Sequence, residues 1–150
     1  MTLAVNNCDL CALLAEPSAD TLIWRDGKLS VVFVDEPNYP GFVRVVWNRH
    51  VKEMTDLAPA DRTAVMNAVF QVEAAVREVM APAKINLASF GNMTPHVHWH
   101  VIPRYTNDVH FPNPTWGAAQ REPEVLALAG RGALLQKLRE TIVANLSKES

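Results

Sequence analysis

Histidine alternates with bulky apolar residues in one short segment of the chain, 96–101 (HVHWHV). A period of two is typical of a β-strand, because successive side chains of a strand point to opposite faces of its sheet. The three imidazoles are therefore predicted to share one face, about 7 Å apart along the strand. Val97, Trp99 and Val101 are predicted to face the core. This segment restricts the fold to one that buries one side of a strand and leaves the other side to the histidines.

His96, His98 and His100 suit two kinds of chemistry. Imidazole has an ordinary pKa near 6.5, so that a neutral nitrogen is available at pH 7 to attack phosphorus and hold the phosphoryl group covalently. Neighbouring imidazoles can orient that nucleophile and donate to phosphate oxygens. Histidines separated by one residue on a strand are also frequent metal ligands. The spacing alone leaves phosphate chemistry and metal binding open, while strict alternation disfavours a run of surface histidines without a role.

The remaining patterns predict an α+β fold. Asp26-Gly27 between two apolar runs is a strong hairpin signal. Strands are predicted over 22–25, 28–34, 42–47, 84–89 and 96–102, and helices over 9–16, 59–80 and 133–146. The short connections favour antiparallel pairing. The predicted architecture is an antiparallel sheet of about five strands with two main helices packed on one face.

Length and composition indicate one domain over residues 1–150, since the chain is 49% hydrophobic and 20% charged. An N-terminal segment over 1–20 carries the two cysteines, and a loop and helix occupy 103–150. The net charge of −2 lacks the basic excess of proteins that bind nucleic acids or membrane surfaces, so neither partner is expected. The N-terminus lacks the pattern of a signal peptide, and no apolar run is long enough to span a bilayer. A cytoplasmic location is the resulting expectation.

The segment 91–102 (GNMTPHVHWHVI) resembles the defining motif of the histidine triad (HIT) family, in which three histidines alternate with apolar residues. The hairpin, the long helix and the strand before the triad extend the resemblance over much of the chain. The segment 110–117 (HFPNPTWG) is similar to a bacterial branch described as diadenosine polyphosphate hydrolases. The resemblance implies a homodimer whose sheets join across an interface. It also implies a small-molecule nucleotide as substrate, with adenine favoured.

The resemblance implies that His98 attacks the α-phosphorus and forms a nucleotidyl-histidine, which water or another acceptor then cleaves. His100 would contact the phosphate and assist the leaving group, and His96 completes the predicted catalytic set. Diadenosine tetraphosphate is the favoured substrate, with nucleoside phosphoramidates as an alternative. Two other functions stay open: a metalloenzyme whose triad holds a catalytic metal, and a nucleotide-binding interaction protein with little catalysis.

Three further positions are substrate contacts by resemblance. Asp35 occupies the position where family members contact the ribose hydroxyls. Asn86 occupies that of an asparagine near the active site, and Asn92 that of a phosphate contact. Read without the resemblance, Asp35 and Asn92 are turn residues, and Asn86 satisfies backbone groups at the end of a strand. Arg104 either reaches phosphate or is solvated.

Cys8 and Cys11 form a C-x2-C pair, a pattern shared by zinc sites and redox sites. No strand is predicted before the pair, which disfavours a thioredoxin-like motif, and a structural disulfide is not expected in a reducing compartment. A structural zinc site needs four ligands. Several histidine triad proteins complete such a site with a histidine after the third strand and the first triad histidine. The resemblance therefore implies a structural zinc site of Cys8, Cys11, His50 and His96, against the alternative of two packed cysteines and an exposed His50; no organic cofactor is expected.

Five aromatic residues are predicted as core or dimer interface, with stacking of one of them on a base as the alternative. This group consists of Trp24, Phe33, Tyr39, Trp47 and Phe90. His110 and Trp116 are either surface residues or border the substrate pocket.

Overall fold

A five-stranded antiparallel sheet forms the centre of the computed structural model, which describes residues 7–148. The strands are β1 (Leu22–Arg25), β2 (Leu29–Phe33), β3 (Val43–Trp47), β4 (Lys84–Ala88) and β5 (His98–Arg104), in the order β1-β2-β3-β5-β4. The helices are α1 (Asp9–Ala15), α2 (Pro59–Met80), α3 (Val125–Gly132) and α4 (Leu135–Lys148), with a short 3-10 turn at Met54–Asp56. The predicted α+β fold with a five-stranded antiparallel sheet is confirmed.

The turn between β1 and β2 depends on one carboxylate. Asp26 Oδ1 accepts hydrogen bonds from the backbone N–H groups of Lys28 and Leu29, both at 2.8 Å. This side chain replaces backbone partners within the turn, as aspartate commonly does. The predicted hairpin is therefore present, and its second strand begins at Leu29, one residue later than predicted.

One face of the sheet packs against α2 and α4. The valines of α2 recur at three- and four-residue spacing, and Val69, Val72 and Val76 are fully buried against sheet residues that include Val45 and Val101. Each such side chain contributes about 1.5–3 kcal/mol to folding. Because side chains alternate along β5, this packing directs His98 and His100 to the opposite face.

Most predicted elements differ from the observed ones by one or two residues at an end, and two differences concern the region of the site and the C-terminal segment. The strand predicted over 96–102 begins at His98, because the His96 N–H bonds the Thr94 carbonyl in a turn and the Val97 N–H bonds the Val51 carbonyl. The segment before α4 forms the additional helix α3, which the sequence predictions missed and which buries none of its residues. Among the described residues, no helix is long and apolar enough to cross a membrane.

Candidate active site and metal centre

Four side chains from distant parts of the chain form a compact cluster beside the sheet. The ligand atoms of Cys8, Cys11, His50 and His96 all lie within 4.8 Å of one another. Cys11 Sγ is 3.4 Å from His50 Nδ1, and His96 Nδ1 is 3.5 Å from both sulfurs. A tetrahedral zinc ion with ordinary bond lengths separates sulfur and nitrogen ligands by about 3.6 Å. The cluster can therefore bind a metal ion.

Local hydrogen bonds position two of the cysteine and histidine ligand atoms. Cys8 is the N-cap of α1, and its Sγ accepts the backbone N–H of Cys11 at 3.3 Å, which places the two sulfurs side by side. His96 Nε2 lies 2.6 Å from the Trp47 carbonyl oxygen. A carbonyl only accepts, so Nε2 carries the proton and the lone pair of Nδ1 faces the sulfurs. Burial lowers the pKa of His96, which favours the neutral ring that binds metals.

On the sheet face opposite α2, a cavity of about 410 Å³ opens beside β5. Its lining consists of Arg44, Phe90, Gly91, Asn92, Met93, Thr94, His98, His100 and Trp116. The second and third triad histidines thus line the cavity, whereas the first belongs to the metal cluster. Both ring nitrogens of His96 are directed to other partners, which leaves His98 and His100 as the imidazoles available to a molecule in the cavity.

A backbone hydrogen bond sets the tautomer of His98. Its Nδ1 lies 2.6 Å from the carbonyl oxygen of His96, so Nδ1 carries the proton. Burial lowers the pKa of His98, and the charge of Arg44 adds to this effect, while the bond to His96 opposes it. The ring is therefore neutral at pH 7, with its lone pair on Nε2.

His100 is the second imidazole of the cavity. Its ring centroid lies 5.0 Å from that of His98, 5.4 Å from Phe42 and 5.8 Å from Phe90. Burial among these rings, together with the charges of Arg44 and His98, lowers the pKa of His100 to about 4. His100 is therefore a neutral hydrogen-bonding group at pH 7.

Arg44 is a cavity residue that the sequence predictions missed. It lies in the middle of β3, where it pairs with His100 on β5 and shares the face of the histidines. Its Nε is buried and has no hydrogen-bond partner within residues 7–148. The signal available in the sequence was a single charge inside the apolar run 42–47 (FVRVVW).

Comparison with known proteins assigns this arrangement to a family. The family model described as "HIT domain" matches residues 16–107. The chain belongs to the histidine triad (HIT) family. The cysteines, His110 and Trp116 lie outside the residues that this model matches.

Two curated proteins and one crystal structure illustrate the similarity to other HIT sequences. A bis(5'-nucleosyl)-tetraphosphatase [asymmetrical] of Schizosaccharomyces pombe is 34% identical over 87 residues, covering 54% of this chain and 48% of that protein. An AP-4-A phosphorylase of Mycobacterium tuberculosis is 28% identical over 97 residues, covering 60% of this chain and 50% of that protein. The chain spans about half the length of these relatives. A histidine triad protein from Bradyrhizobium japonicum is 28% identical, with a TM-score of 0.63 over 79% of this chain and 90% of that chain.

The substrate contacts predicted from the HIT resemblance occupy different environments. Asn92 lines the cavity with His98 and His100. Asp35 is exposed after β2, and Asn86 accepts a hydrogen bond through Oδ1 from Arg104 Nη1 at 2.8 Å. Among the described residues, the cavity lining does not include Asp35 or Asn86. Their substrate roles stay predictions.

Arg104 does not line the cavity and does not extend into solvent, so the solvated alternative is wrong, while a phosphate contact stays a prediction. The residue is 3% exposed, and its Nε and Nη2 donate to the two carboxylate oxygens of Asp108 at 2.8 and 3.0 Å. Burial raises the pKa of Asp108, but hydrogen bonds from Arg104 and from the backbone of Tyr105 and Phe111 outweigh burial and lower it. The pair anchors the loop that follows β5, because Arg104 Nη2 also donates to the Asn113 carbonyl at 2.7 Å.

Two aromatic residues stand at the entrance of the cavity. Phe90 is 51% exposed, so the core alternative for it is wrong and the interface alternative stays a prediction; Trp116 is 65% exposed. Their rings meet edge to face with centroids 4.6 Å apart. His110 lies apart from them, with its Nδ1 2.6 Å from the Tyr39 hydroxyl. Of the two C-terminal residues with open roles, Trp116 therefore borders the cavity, while His110 belongs to the buried cluster around Tyr39.

Proposed function

We propose that this HIT protein is a nucleotide hydrolase or nucleotidyl transferase that acts at the α-phosphorus of dinucleoside polyphosphates such as diadenosine tetraphosphate. The observation that carries the proposal is the hydrogen bond from His98 Nδ1 to the His96 carbonyl, which leaves a neutral, unprotonated Nε2 at the cavity. The names of the two curated relatives, a tetraphosphatase and an AP-4-A phosphorylase, support this substrate class.

In the first step the lone pair of His98 Nε2 forms a bond to the α-phosphorus, and the P–O bond to the rest of the phosphate chain breaks. With diadenosine tetraphosphate the leaving group is ATP, and AMP stays on the ring. The ring gains a positive charge as the N–P bond forms. The His96 carbonyl, 2.6 Å from Nδ1, stabilises this imidazolium through the hydrogen bond that already exists.

His100 and Asn92 would receive the phosphoryl oxygens. A neutral His100 ring can donate its one N–H, and the negative charge of an approaching phosphate raises its pKa, which favours the protonated ring with two N–H donors. Asn92 offers two donors from its side-chain amide. Both residues line the cavity together with His98.

In the second step an acceptor displaces the histidine. Water attacks phosphorus, the P–N bond breaks, and its electron pair returns to Nε2, releasing AMP and the protons of water to solvent. Phosphate as acceptor would give ADP instead. The names of the two relatives include one enzyme of each type, so the acceptor is part of the test.

The metal cluster would hold a zinc ion, because two sulfurs and two imidazole nitrogens are ligands that zinc prefers. Cys8, Cys11, His50 and His96 would occupy all four tetrahedral positions, so the bound ion supplies a structural link and no open site for substrate. This link would hold α1 and the loop after β3 against His96. It would thereby position the carbonyl that orients His98.

A homodimer belongs to the same proposal. β4 pairs only with β5 within the described residues, so its other edge can join another copy, and unpaired edges are generally covered in native proteins. The side chain of Phe70 on α2 is 52% exposed and would give such an interface an apolar contact. Sedimentation velocity over a range of concentrations tests the oligomeric state; a single monomeric species at micromolar concentrations contradicts it.

Turnover of diadenosine tetraphosphate by wild type and His98→Ala, with products separated by chromatography, tests the central claim. We expect wild type to release AMP and ATP, and His98→Ala to lose at least about 1,000-fold in kcat, as removal of a covalent nucleophile does. Rapid alkaline quenching with substrate labelled at the α-phosphate should trap label on wild type alone. His110→Ala is the matched control, because His110 lies outside the cavity lining.

Each other outcome has a definite meaning. Equal cleavage by wild type and His98→Ala would rule out His98 as the nucleophile. Absence of cleavage by wild type would rule out polyphosphates as substrates, and adenosine 5'-phosphoramidates then become the next series. Nucleotide binding without turnover of either class would favour an interaction protein.

A further inference from the structure

We propose that Arg44 binds the phosphates attached to the α-phosphorus and thereby selects polyphosphate substrates over AMP conjugates with uncharged leaving groups. The substrate class rests on the proposed function, whereas binding of a phosphate chain to Arg44 can be tested without turnover.

The position of Arg44 is unusual for a cation. β3 is the central strand of the sheet, and Arg44 pairs with Val32 of β2 on one side and with His100 of β5 on the other. The residues on either side of it along the strand, Val43 and Val45, are fully buried. A charged side chain in the middle of a central strand lowers stability unless it has partners. Its presence therefore requires an explanation that packing does not supply.

The described residues do not compensate the charge of Arg44. The two ion pairs within residues 7–148 join Lys28 to Asp61 and Arg104 to Asp108. The buried Nε of Arg44 has no hydrogen-bond partner, and the ring of Phe42 lies 6.0 Å from its guanidinium carbon. A half-buried guanidinium with an unused donor is a site for an anion.

The cavity around Arg44 suits an anion and not a second cation. Its described lining contains no Asp or Glu, and Asn92 and Thr94 supply further donors. Arg44 is the lining side chain that keeps a positive charge at every physiological pH. A phosphate chain supplies the negative charge that this cavity lacks.

The strand register places Arg44 beside the leaving phosphates. On β3, Val46 pairs with His98 and Arg44 pairs with His100. Arg44 therefore lies one two-residue repeat, about 7 Å, along the sheet from the proposed nucleophile. Since the α-phosphorus must lie against His98 Nε2, a guanidinium displaced by one repeat meets the phosphates beyond it. The planar fork of arginine can bind two phosphate oxygens at once.

The kinetic test compares two substrates that share AMP and differ in the leaving group: diadenosine tetraphosphate and adenosine 5'-phosphoramidate. We expect Arg44→Gln to lower kcat/KM for the tetraphosphate by about 10- to 100-fold, the effect of losing a charge-assisted contact. The phosphoramidate should change by less than about threefold, because its leaving group carries no phosphate. Arg44→Lys should fall between wild type and Arg44→Gln. Arg77→Gln is the matched control, since Arg77 is exposed on α2, outside the cavity lining.

Two kinetic results would overturn the assignment. Equal losses for both substrates in Arg44→Gln would mean that Arg44 acts on the shared α-phosphoryl group. Unchanged kcat/KM for the tetraphosphate would mean that Arg44 contacts no phosphate of the substrate.

Calorimetric titration with inorganic tripolyphosphate tests the site without turnover. We expect wild type and Arg77→Gln to bind it with one site and to gain thermal stability, and Arg44→Gln to do neither. Without ligand, Arg44→Gln should melt at or above the wild-type temperature, because an uncompensated charge has been removed. A lower melting temperature in Arg44→Gln would identify a structural role and overturn the proposal.

The two assays separate this inference from the proposed function. Tripolyphosphate binding that requires Arg44, in a protein that cleaves neither substrate, would support the phosphate site and reject the enzyme. Turnover of the tetraphosphate through His98, with tripolyphosphate binding that does not depend on Arg44, would support the enzyme and reject the phosphate site.

Discussion

His96 of the metal cluster lies two residues before His98 of the cavity, yet the two imidazoles present opposite ring nitrogens to their sites. The Trp47 carbonyl takes the Nε2 proton of His96 and leaves Nδ1 to the cysteines. The His96 carbonyl takes the Nδ1 proton of His98 and leaves Nε2 to the cavity. The comparison teaches that the backbone acceptor next to each imidazole, rather than the residue type, decides what that imidazole can bind.

The two arginines on the histidine side of the sheet, Arg44 and Arg104, also differ in the partners available to their side chains. Arg104 is saturated by Asp108, Asn86 and the Asn113 carbonyl. The Nε of Arg44 has no partner within the described residues. A satisfied buried charge holds the fold together, whereas an unsatisfied one beside a cavity is available to a ligand.

The largest expected effects distinguish the metal cluster around His96 from the cavity around His98. Cys8→Ser should abolish zinc binding and lower the free energy of unfolding by several kcal/mol, because a structural metal contributes folding energy. His98→Ala should keep one equivalent of zinc while losing turnover. Metal analysis and urea unfolding of both variants provide the measurement. Loss of zinc from His98→Ala would show that the two environments are not independent.

The next effect concerns the two ion pairs. Asp108→Asn should cost about 3–5 kcal/mol in the free energy of unfolding, because it leaves Arg104 buried without its counter-charge. Asp61→Asn should cost about 1 kcal/mol or less, since the Lys28–Asp61 pair is exposed. Chemical denaturation of both variants gives the comparison. Equal losses would contradict a structural role for the buried pair.

A smaller effect is expected at Asp35, which the family resemblance predicts as a ribose contact although it does not line the cavity. Asp35→Ala should raise KM for diadenosine tetraphosphate on the order of tenfold and leave kcat unchanged, as loss of a charged hydrogen bond does. The matched 2'-deoxy substrate should respond much less to the substitution. Equal responses of the two substrates would exclude a contact between Asp35 and the ribose 2'-hydroxyl.

The smallest expected effect concerns the pKa of His100. Because the pKa of His100 is lowered to about 4, its ring should stay neutral at pH 5.5. Between pH 6.5 and 4 the unfolded chain binds a proton that folded His100 does not, so the contribution of His100 to stability falls as pH falls. Arg44→Gln removes a facing positive charge and should raise this pKa. Nuclear magnetic resonance of the ring protons measures both values; a wild-type pKa above 6 would contradict the burial of His100.

Local sequence patterns predicted much of the fold and part of the site. The period of two around His98, the three- and four-residue spacing in 59–80 and the Asp26-Gly27 turn each reflect interactions between near neighbours. Such patterns persist in any fold that buries one face of an element, so they can be read without tertiary structure. The family resemblance then named four metal ligands that the structure brings within 4.8 Å of one another.

Tertiary structure alone decided the roles of individual polar atoms. The tautomer of His96 depends on a carbonyl 49 residues away, and one of the hydrogen bonds of Arg104 goes to Asn86, 18 residues earlier. The Nε of Arg44 lacks a partner because no acceptor among the described residues lies near it, and no local sequence pattern shows this. The sequence by itself therefore determined all five strands, three of the four α-helices and which side chains share a face. The packing of distant segments determined which of those side chains are satisfied and which one is left for a ligand, because hydrogen bonding and charge compensation depend on distance in space and not along the chain.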